Sequence, residues 1–167
     1  MPQDPRPDPT HAGSRSPEAA GFVIEDLARE DVLALLARNS VGRIAFTMRD
    51  RVDIEPIHYV YSDGWLYART SRGAKVATLE RNRWVAFEVD EIFGPSSWSS
   101  AVVHGAVYFL EPNGSPDAAQ LWSRAIALLK RLVPQTLEPG DPVPHRDIVF
   151  RIAVQEATGR RARAAEG

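Results

Sequence analysis

The period of the apolar positions changes several times along this chain, and each change marks an element. Between Glu25 and Asn39, Leu27, Val32, Leu33, Leu35 and Leu36 form one stripe. Arg29, Glu30 and Arg38 lie outside it, which predicts an amphipathic helix. Asn39-Ser40 and Gly42 stop it. The period then drops to two. Ile44, Phe46 and Met48 alternate with Arg43, Ala45 and Thr47, predicting a strand over 41–48. Arg49-Asp50-Arg51 reads as a tight turn, and 52–60 as a second strand interrupted by Pro56. Proline cannot donate to a ladder, so Pro56 belongs at an edge, a bulge or a place where pairing is given up. Asp63-Gly64 is a hairpin signal, and 65–70 returns as a strand.

A short helix over 73–81 and a strand over 84–90 follow, then a Gly94-Pro95 loop over 91–97. A long strand covers 98–111. An amphipathic helix over 117–132 carries Leu121, Trp122, Ala125, Leu128 and Leu129. Four prolines make 133–145 a loop or extended segment, and 148–155 is a final strand. About six strands joined mostly by short turns, with two longer helices and one short one, predict a mainly β fold. An antiparallel barrel with flanking helices fits better than a doubly wound parallel sheet. The domain reading is a disordered arm over 1–21, a folded unit over 22–157 and a flexible tail over 158–167. The arm is polar and proline-rich and offers too little apolar surface to offset its ordering entropy.

Composition narrows the functions. A chain of 167 residues with net charge −2 gives no global argument for nucleic acid or anionic membrane. The chain has no cysteine, which removes disulfides, thiolate metal sites and thiol nucleophiles. No apolar run approaches a membrane span, so a cytoplasmic protein is the expectation. Four histidines without His-x-x-x-His spacing give a metal site poor support. Ser99 and Ser100 lie in no Gly-x-Ser-x-Gly elbow.

The candidate chemistry gathers at Ala68–Glu80, ARTSRGAKVATLE. A strand end is followed by hydroxyls (Thr70, Ser71), cations (Arg69, Arg72, Lys75) and a glycine (Gly73), and then a helix begins. Helix N-termini favour anions, so this turn is a candidate phosphate site. Lys75 is one of only two lysines in an arginine-rich chain. Thr70 or Ser71 could instead serve as an ordinary helix cap, and Arg69 as a surface cation. His58 could donate to a cofactor or substrate oxygen, or be a barrel histidine. Trp98 could wall a flat ligand or pack an interface. Trp65, Trp84 and Trp122 are expected in core or helix–barrel packing.

The ordered set of segments also carries a likeness. Val41-Gly42-Arg43-Ile44-Ala45-Phe46 is followed by Pro56-Ile57-His58-Tyr59, Asp63-Gly64-Trp65-Leu66-Tyr67 and the Thr70–Lys75 turn. Ala86–Asp90, Trp98–Gly105 and Ala157-Thr158-Gly159-Arg160 complete it. This pattern, spanning about Leu27 to Arg160, resembles the pyridoxamine 5′-phosphate oxidase-like family of FMN-binding split β-barrels. It looks closest to the small actinobacterial-type and nitroimidazole-resistance-like branch. The resemblance implies a homodimer with FMN across the interface, acting on a small-molecule substrate. It would put the FMN phosphate on Thr70, Ser71, Arg72 and Lys75, with Arg69 beside them. Pro56, Ile57, His58 and Tyr59 would lie along the isoalloxazine edge, largely through backbone groups. Trp98, Ser99 and Ser100 would approach from the second subunit. A deazaflavin cofactor, helped by Arg43, Arg81 and Arg83, is the alternative. A non-catalytic binder of flavin, haem or B6-phosphate is a further one. The paired Arg and His of the longer C-terminal segment of true pyridoxamine phosphate oxidases are missing, so vitamin B6 oxidation is not expected.

Overall fold

A computed structural model describes residues 21–165; the arm over 1–20 lies outside the described residues. The strands are β1 (Phe22–Asp26), β2 (Val41–Met48), β3 (Arg51–Ser62), β4 (Trp65–Thr70), β5 (Trp84–Gly94), β6 (Ser97–Leu110) and β7 (Ile148–Ala164). The helices are α1 (Arg29–Arg38), α2 (Ala74–Arg81) and α3 (Pro116–Leu129). All pairings are antiparallel, in the order β1-β7-β4-β3-β2-β5-β6, and β6 also pairs β7. That last pairing closes six strands into a split barrel, which leaves most strand edges covered.

The barrel interior is filled by the positions that the period of two puts on one face. Ile44 and Phe46, Ile57 and Tyr59, Val85, Phe87 and Val89, and Phe150 and Ile152 all belong to one buried cluster. The edge of the Tyr59 ring meets Phe87, with centroids 4.9 Å apart. Helix α1 covers one end with Val32, Leu35 and Leu36, and the Tyr59 hydroxyl donates to the Leu36 carbonyl at 2.8 Å. Strand β4 is buried on both faces. Leu66 and Ala68 face the barrel cluster, while Tyr67 packs under Ala125, Leu128 and Leu129 of α3.

Four sequence expectations are corrected. The helix expected from Glu25 starts only at Arg29, and residues 22–26 are a strand. They alternate no polar face and instead pair with the far end of β7, from Phe22 opposite Ala164 to Asp26 opposite Arg160. The supposed flexible tail from 158 is therefore ladder through Ala164, held between β1 and β6. Its arginines suggested solvation, but Glu25 on β1 receives Arg161 at 2.6 Å, and Arg160 donates to Asp26 at 3.3 Å. The loop expected over 91–97 is mostly strand, since β5 runs to Gly94 and β6 starts at Ser97. Trp84 is exposed and does not pack into the core.

One close approach marks the closure, and one tight turn joins β3 to β4. A Cβ on Gly105 would sit 1.9 Å from the Ala153 carbonyl oxygen, where the β6–β7 register shifts. At the hairpin after β3, Asp63 and Gly64 both take positive φ, the geometry a tight two-residue turn needs. No helix among the described residues is long and apolar enough to cross a membrane.

Candidate functional site

Strand β3 changes partner midway, and that change opens the site. Residues 51–58 pair with β2, whereas only 59–62 pair with β4. The first half of β3 therefore has an open edge. The Tyr59 amide donates to the Ser40 carbonyl at 2.9 Å, which makes Tyr59 one of the residues bonded toward β2. Antiparallel pairs alternate, so Pro56, opposite Arg43, sits in a non-bonded pair. Its nitrogen faces the open edge, and the ladder to β2 loses nothing.

The end of β4 and the start of α2 stand across that edge. Together they enclose a cleft of about 290 Å³, lined by Pro56, Ile57, Thr70, Ser71, Lys75 and Arg146, with Glu55, Arg69, Gly73 and Ala74. No side chain caps α2, and its first helical bond is the Ala77 amide to the Gly73 carbonyl at 3.1 Å. The capping role considered for Thr70 or Ser71 is thus absent, and the first-turn N–H groups remain open.

The cations of the cleft are unequal. Arg69 is buried, and its guanidinium is bidentate with the Asp141 carboxylate, one contact being 2.9 Å. Its charge is already matched by Asp141 and it still lines the cleft, so the surface-cation reading of Arg69 does not hold. Asp141 also accepts from the Leu137 amide at 2.9 Å and the Val143 amide at 3.0 Å. Arg69 foremost, and then these amides, hold its carboxyl well below the usual range. Lys75 donates to Glu55 at 2.6 Å, with Lys75 mostly buried and Glu55 half exposed. Arg72 is exposed on the turn, and neither it nor the Arg146 side chain pairs with a carboxylate among the described residues.

The remaining expected residues are placed as follows. Ile57 and Tyr59 turn their side chains into the core, so only their backbone can meet a ligand. His58 is exposed on the outer side of β3, opposite Val41, and does not line the cleft. Trp98, Ser99 and Ser100 line a different hollow with Ile92, Arg43, Glu88 and Asp90. Arg43 lies between the two sites, opposite Pro56 on one side and Glu88 on the other. It donates to Glu88 at 2.9 Å and also to Asp90. Burial raises the Glu88 carboxyl, against the opposing pull of Arg43. One protomer thus does not bring Trp98, Ser99 and Ser100 to the Thr70–Lys75 turn.

Sequence reasoning missed Glu55, Asp141 and Arg146. Glu55 stands beside Pro56 without local distinction. Asp141 and Arg146 lie more than sixty residues from the turn, and only the tertiary fold brings them to it.

The family model for pyridoxamine 5′-phosphate oxidase matches residues 28–161, well over half of the chain. The chain belongs to the pyridoxamine 5′-phosphate oxidase family. Within this family it is similar to a FAD-binding protein from Mesorhizobium loti. That structure is 27% identical with a TM-score of 0.68, covering 84% of this chain and 99% of its own. A candidate 5-nitroimidazole antibiotic resistance protein from Bacteroides thetaiotaomicron shares the fold, at 19% identity and TM-score 0.65, covering 87% and 93%. The Mycobacterium tuberculosis protein Rv0080 is 36% identical over 87 residues, 48% of this chain and 57% of that protein. The matched part thus spans little more than half of that relative.

Proposed function

We propose that this protein is a flavin-dependent oxidoreductase that holds FMN with its phosphate at the Thr70–Lys75 turn. The observation that carries the reading is the cleft between the open edge of β3 at Pro56 and the uncapped start of α2. Hydroxyls, open N–H groups, Lys75 and the unmatched Arg146 meet there, the donor set a phosphate group requires. Its volume suits a phosphate and leaves a flat ring to lie along β3 outside it. The FAD-binding relative from Mesorhizobium loti supports a flavin in this family setting.

Bound flavin would supply hydride or electron transfer to a small molecule; the protein binds, orients and shields. Val41, Val52 and Ile54 on β2 and β3, and Ile92 beside Trp98, are exposed on the protomer. Such a surface suits a homodimer, in which Trp98, Ser99 and Ser100 of one copy would complete the ring site of the other. The deazaflavin alternative called on Arg43, Arg81 and Arg83; Arg43 is already held by Glu88 and Asp90, and Arg83 lies over the Tyr108 ring. The phosphate cleft is the observation that favours FMN. The test is to add nicotinamide donors anaerobically to FMN-loaded protein. Bleaching of the flavin followed by recolouring with quinone or nitro acceptors is expected. Bound FMN that no donor bleaches would overturn the enzymatic reading in favour of a carrier.

A further inference from the structure

The segment over 133–145 reads in sequence as a proline-rich loop or extended segment, and it folds as a series of turns that runs on to Arg146. Thr136 donates its hydroxyl to the Val133 carbonyl at 2.7 Å, and the Glu138 amide donates to Gln135 at 2.9 Å. The Asp141 amide donates to Glu138 at 3.0 Å and the Arg146 amide to Val143 at 3.0 Å. Leu137 and Gly140 take positive φ to make these turns. The Asp141 carboxylate, almost wholly buried, ties the segment to Arg69 of β4. The outcome is that Arg146 becomes part of the wall facing Ser71 and Lys75.

Charge counting then singles out Arg146. Asp141 matches Arg69, and Glu55 matches Lys75. Arg146 is then the cation of the wall that no carboxylate among the described residues matches, while Arg72 is exposed on the turn between the lining residues Ser71 and Gly73. A phosphate monoester carries about −1.5 to −2 at neutral pH, so an unmatched cation in the wall suits it. Arginine also offers a planar fork that suits phosphate oxygens.

We propose that Arg146 is a ligand of the terminal phosphate monoester, and that the Arg69–Asp141 pair is the strut that positions it. This rests on the phosphate site proposed above and adds a further residue that, with Lys75, separates FMN from unphosphorylated riboflavin. The experiment titrates full-length wild type, Arg146→Gln and Arg146→Lys with FMN, riboflavin and phenyl phosphate, a monoester without a flavin. Amide signals of Ser71–Lys75 and flavin fluorescence report binding. Arg146→Gln should weaken FMN and phenyl phosphate about tenfold to a hundredfold, the range of a charged hydrogen bond. Riboflavin should be unaffected, and Arg146→Lys should recover part of the loss. Phenyl phosphate binding that depends on Arg146, without binding of either flavin, would support the ligand assignment while refuting the flavin reading. Equal FMN and phenyl phosphate affinities in wild type and Arg146→Gln would overturn the assignment, as would a wild type that binds neither monoester.

Discussion

Removing either partner of the Lys75–Glu55 pair should move flavin affinity in opposite directions. Lys75 Nζ lies 2.6 Å from a Glu55 carboxylate oxygen. A phosphate bound to Lys75 loses a charge-assisted hydrogen bond in Lys75→Ala. That costs about 1.5–3 kcal/mol, or roughly tenfold to a hundredfold and more in Kd. Glu55 acts with the opposite sign. A phosphate on the far side of the ammonium would sit roughly 5 Å from its carboxylate. Like charges at that distance repel by about 3 kcal/mol per charge at an effective dielectric of about 20, and by under 1 kcal/mol in water. Glu55 is half exposed, so the value near the watery end applies, about 1 kcal/mol. Glu55→Gln should therefore tighten FMN about fivefold, with the gain shrinking as salt is added. The pair itself stabilises the fold by no more than about 1 kcal/mol, so the variant should fold. Quenching of FMN fluorescence measures both, with riboflavin as the control lacking a phosphate. Unchanged FMN affinity in Lys75→Ala, or weaker binding in Glu55→Gln, would refute the reasoning.

Three further outcomes follow from the packing and the charges. Gly105→Ala drives a methyl into the Ala153 carbonyl across the closing ladder; denaturant unfolding should show a loss of about 3 kcal/mol, and a wild-type midpoint would contradict the close approach. The Asp141 carboxyl is held low by Arg69 in the folded state. Its contribution is present above its unfolded pKa near 4 and is lost as pH falls toward the lower folded value. Unfolding midpoints measured from about pH 6 to about pH 3 should fall in wild type, and less steeply in Asp141→Asn. Ile54→Asp puts a charge on the exposed apolar face of β3; if the proposed homodimer uses this face, sedimentation should report dimer for wild type and monomer for the variant, and the same state for both would place any interface elsewhere.

The barrel was legible where one face of a strand is wet. Val41–Met48 alternates cleanly, and its predicted bounds are the observed ones. The reading failed where burial or partner choice is non-local. Phe22-Val23-Ile24 has no period of two, because β1 is an added strand exposed on both faces. Arginines at 160, 161 and 163 look like a solvated tail, but Glu25 and Asp26 across the ladder pair with them. Pro56 was legible as an edge, a bulge or a place where pairing is given up; it stands at the open edge of β3, where it lines the cleft. Of the turn, Thr70, Ser71 and Lys75 line one cleft. Arg69 did not remain free, because a carboxylate seventy-two residues away reaches it. No local pattern announces such a partner, nor the arrival of Arg146 beside it.

The central claim is a phosphorylated flavin at the Thr70–Lys75 turn. The most direct test is to titrate the purified, ligand-stripped protein with FMN and with riboflavin while following amide signals of Ser71–Lys75. Tight FMN binding that shifts those signals, with riboflavin binding at least tenfold weaker, is the predicted result, since a single charge-assisted contact to phosphate amounts to about that factor. Equal affinity for the two flavins, or FMN binding that leaves Ser71–Lys75 unmoved, would contradict it.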